Sequence, residues 1–328
     1  MEQSAPKKPR DHGGNLDAAI ARFGGEMSDW IDLSTGINPV AYPVPAISSD
    51  VWQALPRKSA ISALCEAAQI AYGATSAIAA FAGAQGAIQA IPFLRPKGEA
   101  RIVAPTYNEH AGALRMAGWQ VSDVSGIEEL RGADLGVVVN PNNPTGQIYE
   151  PAQLVELAEE VRLLIVDESF VDPTPECSLA TDLDQSENII VLRSFGKFYG
   201  LAGLRLGFAI GPEALVSRLS EIAGPWPISG PALEIARTAF EDTGWQTDTI
   251  KRLAQDADRL DSIAAEAGLK LVGGTTLFRT YHAESAAAVQ DKLAQAHIWS
   301  RVFPYSEHWI RLGLPGTEAA WQRLTRAL

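Results

Sequence analysis

Asn188-Ile189-Ile190-Val191-Leu192-Arg193-Ser194-Phe195-Gly196-Lys197, followed closely by Gly203-Leu204-Arg205-Leu206-Gly207, decides how the rest of the chain is read. The apolar runs Asn188 to Arg193 and Leu204 to Ile210 read as strands, and the turn between them carries an amine beside Gly196. Lys197 in that setting can form an imine with an aldehyde cofactor while Ser194 and Arg205 hold the cofactor's phosphate. A buried structural lysine is the alternative.

Five further apolar runs lie upstream: Ala77 to Phe81, Arg101 to Ala104, Gln120 to Val124, Leu135 to Asn140 and Leu163 to Asp167. They alternate with helical patterns such as Pro151 to Val161, and several lack polar alternation, as strands buried on both faces do. The expected fold class is therefore α/β, with a mostly parallel seven-stranded sheet in a large domain, residues 46–211. A smaller α+β domain is expected over 212–328, with helices at Ala232 to Phe240 and Thr249 to Ala267 and one from Thr317. Its strands are expected at Leu269 to Val272, Thr276 to Tyr281, Ile298 to Phe303 and Trp309 to Leu312. Residues 1–10 read as a loose tail and 11–45 as an N-terminal arm and substrate-lid segment.

With 328 residues and 46% hydrophobic content, the chain exceeds what one core usually holds, roughly 250–300 residues. A formal charge of -12 and a pI near 4.9 argue against nucleic acid or an anionic membrane as partner and for small molecules. Cys65 and Cys177 stand in no metal-ligand spacing, so no metal is expected, and two distant cysteines fit the reducing cytoplasm. No apolar run is long enough for a bilayer span.

Ligands in open α/β sheets bind beyond the carboxyl ends of strands, so the residues just after each apolar run are the candidates. Gly83, Ala84 and Gln85, in Ala82-Gly83-Ala84-Gln85-Gly86, form either a phosphate turn before a helix from about Ala87 or an ordinary glycine turn. Tyr107 can stack on a flat ring or simply pack. In Asn140-Pro141-Asn142-Asn143-Pro144-Thr145-Gly146 two prolines rigidify a loop from which Asn143 can offer an amide to a ring oxygen. Asp167 can pair with a protonated pyridine nitrogen, although an aspartate at a strand end can also cap a helix or bind a metal.

These pieces in this order resemble the aminotransferase-like, fold type I family of pyridoxal-phosphate enzymes, over nearly all the chain beyond the tail. The resemblance implies pyridoxal 5'-phosphate as cofactor, Lys197 as the imine-forming amine and Asp167 on the ring nitrogen. It also implies Tyr107 against the ring, Asn143 near its oxygen, and Gly83, Ala84, Ser194 and Arg205 around the phosphate. Lys197, Asp167 and Tyr107 are the expected catalytic residues, and a homodimer is a further family expectation.

His12-Gly13-Gly14-Asn15 and Asp32-Leu33-Ser34-Thr35-Gly36-Ile37-Asn38-Pro39 are similar to the subgroup that contains histidinol-phosphate aminotransferase and threonine-phosphate decarboxylase. The opening His-Gly-Gly-Asn favours the decarboxylase branch. Phe170 stands where aminotransferases of the family usually have a tyrosine that donates to the ring oxygen, which points to the same branch. Leu55-Pro56 stands where many relatives have Tyr-Pro, which puts the usual phosphate bond across a dimer in doubt.

The resemblance suggests a phosphorylated amino acid as substrate, with His12, Gly13, Asn38 and Asn143 around it and Arg311 on its carboxylate. Arg301 is a further oxyanion grip, and a surface ion pair is the plain alternative for each arginine, as a surface histidine is for His12. The expected reaction is decarboxylation of L-threonine O-3-phosphate to (R)-1-amino-2-propanol O-2-phosphate, in cobalamin biosynthesis. The competing expectations are a histidinol-phosphate or related aminotransferase and a non-catalytic cofactor binder.

Overall fold

The structure, a computed structural model, describes residues 10, 12–183 and 186–328. The expected loose tail, apart from Arg10, lies outside the described residues.

Thirteen strands are formed among the described residues, seven of them in one sheet: β1 (Ile31–Asp32), β2 (Ala77–Ala82), β3 (Glu99–Val103), β4 (Gln120–Val124), β5 (Leu135–Val139), β6 (Leu164–Asp167), β7 (Ile189–Ser194), β8 (Leu206–Gly211), β9 (Lys270–Thr275), β10 (Phe278–His282), β11 (Ile298–Trp299), β12 (Arg301–Phe303) and β13 (Ser306–Gly313). The large sheet runs β2-β8-β7-β6-β5-β3-β4. Only β8 opposes its neighbours, and the other pairs are parallel. This is the mostly parallel seven-stranded α/β sheet expected.

Burial on both faces explains the unbroken apolar runs. Val137, Ile165, Ile190 and Leu192 belong to one apolar cluster, while Val138, Leu164, Val166 and Val191 belong to the other. Each such side chain contributes about 1.5–3 kcal/mol relative to exposure, so neither face tolerates polar alternation.

Helix Pro151–Ala158 starts where expected, through a box in which Glu150 and Gln153 each accept from the other's backbone, and it stops short of Val161. The helix expected from Ala87 begins earlier: it spans Gly83–Ala90, so the glycine turn is its first turn.

Two helices beyond residue 212, Glu213–Ala223 and Gly230–Glu241, pack on β2 and on helix Lys58–Tyr72 respectively, and so clothe the large sheet. The chain changes partners only with helix Thr243–Glu266, which is capped by Asp242 and lies on β9 and β10.

The smaller sheet runs β12-β13-β10-β9, all antiparallel. The strand expected over Ile298 to Phe303 is broken at Ser300, whose carbonyl accepts from Gln290 Nε2 at 2.8 Å. Its first half, β11, pairs instead with β1 from the N-terminal arm. Residues 31–42 of the arm then form a strap between the two sheets. Leu33 O accepts from Gly313 N at 2.7 Å, and Tyr42 N donates to Tyr199 O at 2.9 Å.

Candidate active site

Three neighbouring strands of the large sheet aim their carboxyl ends at one place. β6 ends in Asp167, β7 ends in Ser194 just before the helix Phe195–Phe198 that carries Lys197, and β5 runs into the 140–146 loop. An inner cavity of about 140 Å³ opens there. All nine residues expected around a cofactor line it, from Gly83, Ala84 and Gln85 through Tyr107, Asn143 and Asp167 to Ser194, Lys197 and Arg205.

The three loop asparagines divide the work. Asn140 exchanges hydrogen bonds with the backbone of Tyr149, at 3.0 and 2.8 Å. Asn142 donates to Pro105 O at 3.0 Å and to Thr145 Oγ1 at 2.8 Å, and accepts from Thr106 Oγ1 at 2.6 Å. These two hold the loop, so Asn143 alone among them faces the cavity. Its Oδ1 accepts from Arg311 Nη1, which leaves its NH2 as the donor it can offer.

One corner suits an anion. Gly83 has φ +71°, and a Cβ there would lie 2.9 Å from Arg205 Nη2, so only glycine lets the guanidinium approach the start of the helix. Arg205 is itself left-handed, with φ 54°, a conformation that costs a side-chain-bearing residue about 1–2 kcal/mol. At Gly207 a Cβ would fall 2.3 Å from Ala84 N, so β8 presses directly on the same turn. Helix N–H groups, Ser194 and a guanidinium thus converge, the arrangement that binds a phosphate.

At the opposite wall Asp167 is buried, with Oδ2 2.8 Å from His110 Nε2, while Ser169 donates its backbone N–H (3.0 Å) and its hydroxyl (2.5 Å) to Oδ1. Burial alone would raise this carboxyl, but His110, Ser169 and the nearby Lys197 outweigh it and hold the group below its usual value. Lys197 goes the other way: burial, Arg311 and Arg205 lower its ammonium against the pull of Asp167. Burial with Glu109 and Asp167 nearby pushes the Tyr107 phenol up to about 12, so it stays protonated.

An outer chamber of about 390 Å³ adjoins this cavity, sharing Tyr107, Asn143, Phe170 and Lys197 with it. His12, Gly13, Arg301 and Arg311 line it. Arg311 donates through Nη2 to Ser34 O at 2.6 Å, while its Nε is buried with no partner among the described residues. Burial and the charge of Arg301 press its guanidinium down to about 10. Two arginines and a lysine around one chamber, in a chain of net charge -12, concentrate positive potential there, which suits an anion.

Asn38, expected at the substrate, is elsewhere. It is 1% exposed behind Lys197, its amide bonded to Phe198 O (2.8 Å), Arg252 Nη2 (2.6 Å) and Val40 N (3.0 Å), and the strap residues that reach the chamber are Ser34, Thr35, Gly36 and Ile37. A Cβ on Gly36 would come within 2.8 Å of both Phe170 and Phe278.

His110 and Glu109 were not legible as site residues. His110 lies in the first turn of helix Glu109–Met116, just past the loop that carries Tyr107, and nothing in the sequence says which strand end that turn meets. Glu109 is buried and receives Arg10 (2.5 and 2.9 Å), His12 (3.0 Å) and Gln85 (3.1 Å), pinning the arm beside Tyr107.

The donor set fits a phosphorylated pyridine aldehyde: an amine of lowered basicity, an ionised carboxylate, an aromatic wall and a phosphate corner that a Cβ at residue 83 would fill. Residues 53–328 match the family described as aminotransferase class I and II. The chain is 42% identical to a threonine-phosphate decarboxylase of Pseudomonas aeruginosa over 97% of both sequences, and 40% identical to one of Sinorhizobium over 98% of both. A solved histidinol-phosphate aminotransferase of Sinorhizobium meliloti, in complex with pyridoxal-5'-phosphate, superposes with a TM-score of 0.84 at 20% identity, covering all of this chain and 97% of that one. Motif order, strand order and near end-to-end likeness agree, and the chain belongs to the class I and II aminotransferase family.

Proposed function

We propose that this chain is a pyridoxal-phosphate-dependent carboxy-lyase that converts L-threonine O-3-phosphate to (R)-1-amino-2-propanol O-2-phosphate, a step of cobalamin biosynthesis. The observation that carries the reading is the 42% identity, over 97% of both chains, to a threonine-phosphate decarboxylase. The chamber's chemistry agrees, since a doubly anionic amino acid suits Arg301, Arg311 and His12 beside an amine.

Lys197 would hold the cofactor covalently, and Gly83, Ala84, Gln85, Ser194 and Arg205 would hold its phosphate. When bound, the pyridine ring withdraws electrons from whichever bond at the substrate's α-carbon stands perpendicular to its plane. Asp167, kept ionised by His110 and Ser169, supplies the charge that keeps the ring nitrogen protonated. Asn143 offers its NH2 to the ring oxygen, while Phe170 offers no donor. Arg311 would take the carboxylate, and Arg301 with His12 the phosphate, so that holding both ends fixes the substrate's rotation about its α-carbon. Lys197, which lines both cavities, would then supply the one proton that takes the place of carbon dioxide at the α-carbon.

Further proposals concern assembly and place. Trp52 and Trp226 are 69% and 56% exposed, on segments joined where Gly230 packs on the carbonyl of Val51. This apolar face supports a homodimer, and sedimentation at the mass of one chain would contradict it. The unpaired Cys65 and Cys177 support a cytoplasmic setting. Among the described residues no helix is long and apolar enough to cross a membrane.

The test is a pair of incubations of the loaded enzyme. Threonine phosphate alone should release carbon dioxide, and histidinol phosphate with 2-oxoglutarate should yield no glutamate. Glutamate without carbon dioxide would establish the aminotransferase reading instead.

A further inference from the structure

The helix that carries Lys197, Phe195–Phe198, is four residues long, so its last carbonyls find few partners within it. Two of them are taken by a single residue of the strap. Asn38 donates its backbone N–H to Lys197 O at 2.9 Å and its side-chain NH2 to Phe198 O at 2.8 Å. Its own Oδ1 is held by Arg252 Nη2 at 2.6 Å, and Arg252 is tied in turn to Asp256 at 2.8 Å on helix Thr243–Glu266. Contact continues along the strap: a Cβ on Gly200 would meet Asn38 O at 2.6 Å and Ala41 Cα at 2.7 Å, so the chain after Lys197 lies flat on it.

The same strap reaches the other half of the site. Four residues before Asn38, Ser34 O accepts from Arg311 at 2.6 Å, and Gly36 lies against Phe170 and Phe278. One short segment therefore fixes both the base of the amine and the orientation of the guanidinium.

We propose that Asn38 is a positioning residue for Lys197, holding the lysine turn by its two carbonyls and held itself by Arg252. The proposal rests on Lys197 being the cofactor-bearing amine. The strap then sets the distance between that amine and Arg311. An asparagine suits the position because it must donate to a carbonyl and accept from a guanidinium at once. Aspartate keeps the side-chain acceptor and loses the side-chain donor to Phe198 O, and alanine loses both, while the backbone bond to Lys197 O persists in each.

Loaded wild-type, Asn38→Ala, Asn38→Asp, Arg252→Ala and Arg252→Lys enzymes would be compared by two readouts. One is the pH midpoint of the cofactor's near-ultraviolet and visible absorbance; the other is the separation of kcat from KM with threonine phosphate. Both Asn38 variants should shift the midpoint and lower kcat by about tenfold to a hundredfold, the order expected for misplacement near 1 Å, with a smaller change in KM. Arg252→Ala should move both readouts the same way but less, and Arg252→Lys should restore them. It also leaves Asn38 in place should the Asn38 variants fail to fold. Variants that lose thermal stability while midpoint and kcat match wild type would overturn the proposal. A wild-type enzyme with no borohydride-reducible link at Lys197 would overturn the reading beneath it, independently of Asn38.

Discussion

Arg311 acts on two neighbours at once, gripping Asn143 and lowering the Lys197 ammonium through like charge. Arg311→Met removes that charge, so the lysine's pKa rises and less free amine is present near neutrality. The pH profile for cofactor loading of the apoenzyme should therefore move to higher pH, and KM for threonine phosphate should rise about tenfold to a hundredfold, the worth of a charge-assisted contact. An unmoved loading profile would show that Arg311 does not reach the lysine electrostatically. Phe170 makes the opposite kind of contribution, by offering nothing polar. Its ring lies 5.0 Å from Lys197 Nζ and edge-on to Phe278 at 4.9 Å. Phe170→Tyr adds a donor beside the ring oxygen, so the absorbance midpoint should fall and carbon dioxide release should slow. A midpoint at or above the wild-type value would remove Phe170 from the account of reaction choice.

The strands were legible because burial on both faces leaves a direct mark on composition. β6 and β7, buried at every residue, are displaced by a single residue at one or both ends, while the edge strand β4, which has no buried residue, also has the bounds expected of it. The strap was not legible. β1 is two residues long and pairs with β11, more than 260 positions away, and no periodicity carries a contact of that range. The break at Ser300 was hidden for the same reason, because its cause is a hydrogen bond from Gln290 on another element. The site was legible where chemistry needs a particular residue type at a strand end, as with Asp167 and Lys197. It was misread at Asn38, where the motif was clear but the direction of the side chain was set by tertiary contacts. Gly83 tests the phosphate corner as an element. Gly83→Ala places a methyl 2.9 Å from Arg205 Nη2 in a left-handed backbone, so cofactor dissociation should quicken at least about tenfold, at a folding cost of about 1–2 kcal/mol. Equal retention, followed by fluorescence on dilution, would place the phosphate elsewhere.

At the scale of the whole molecule, the site stands on a buried ionic network directly behind it. Arg193 pairs with Glu168 at 3.3 Å and with Asp172, and it lies 4.0 Å from the centre of the Tyr72 ring. Glu168 and Asp172 flank the loop that carries Ser169 and Phe170, and Arg193 precedes Ser194, so the network ties β6 to β7 beneath the cavity. Burial raises both carboxyls despite the arginine. Arg193→Met would strand two buried carboxylates and should cost about 3–5 kcal/mol in urea unfolding. The pH sign follows from what Arg193 does to the two carboxyls: its charge lowers both, so without it they rise further. The variant then gains more than wild type from protonating them, and the deficit should shrink as pH falls from 8 toward the ordinary carboxylate range. A deficit that grew on acidification would contradict the assignment of those charges.

The whole account depends on the covalent attachment of the cofactor, and one measurement reaches it directly. Enzyme saturated with pyridoxal 5'-phosphate, reduced with borohydride and digested, should yield a single modified peptide, labelled at Lys197 and absent from Lys197→Ala. No label, or a label on another lysine that persists in that variant, would contradict it.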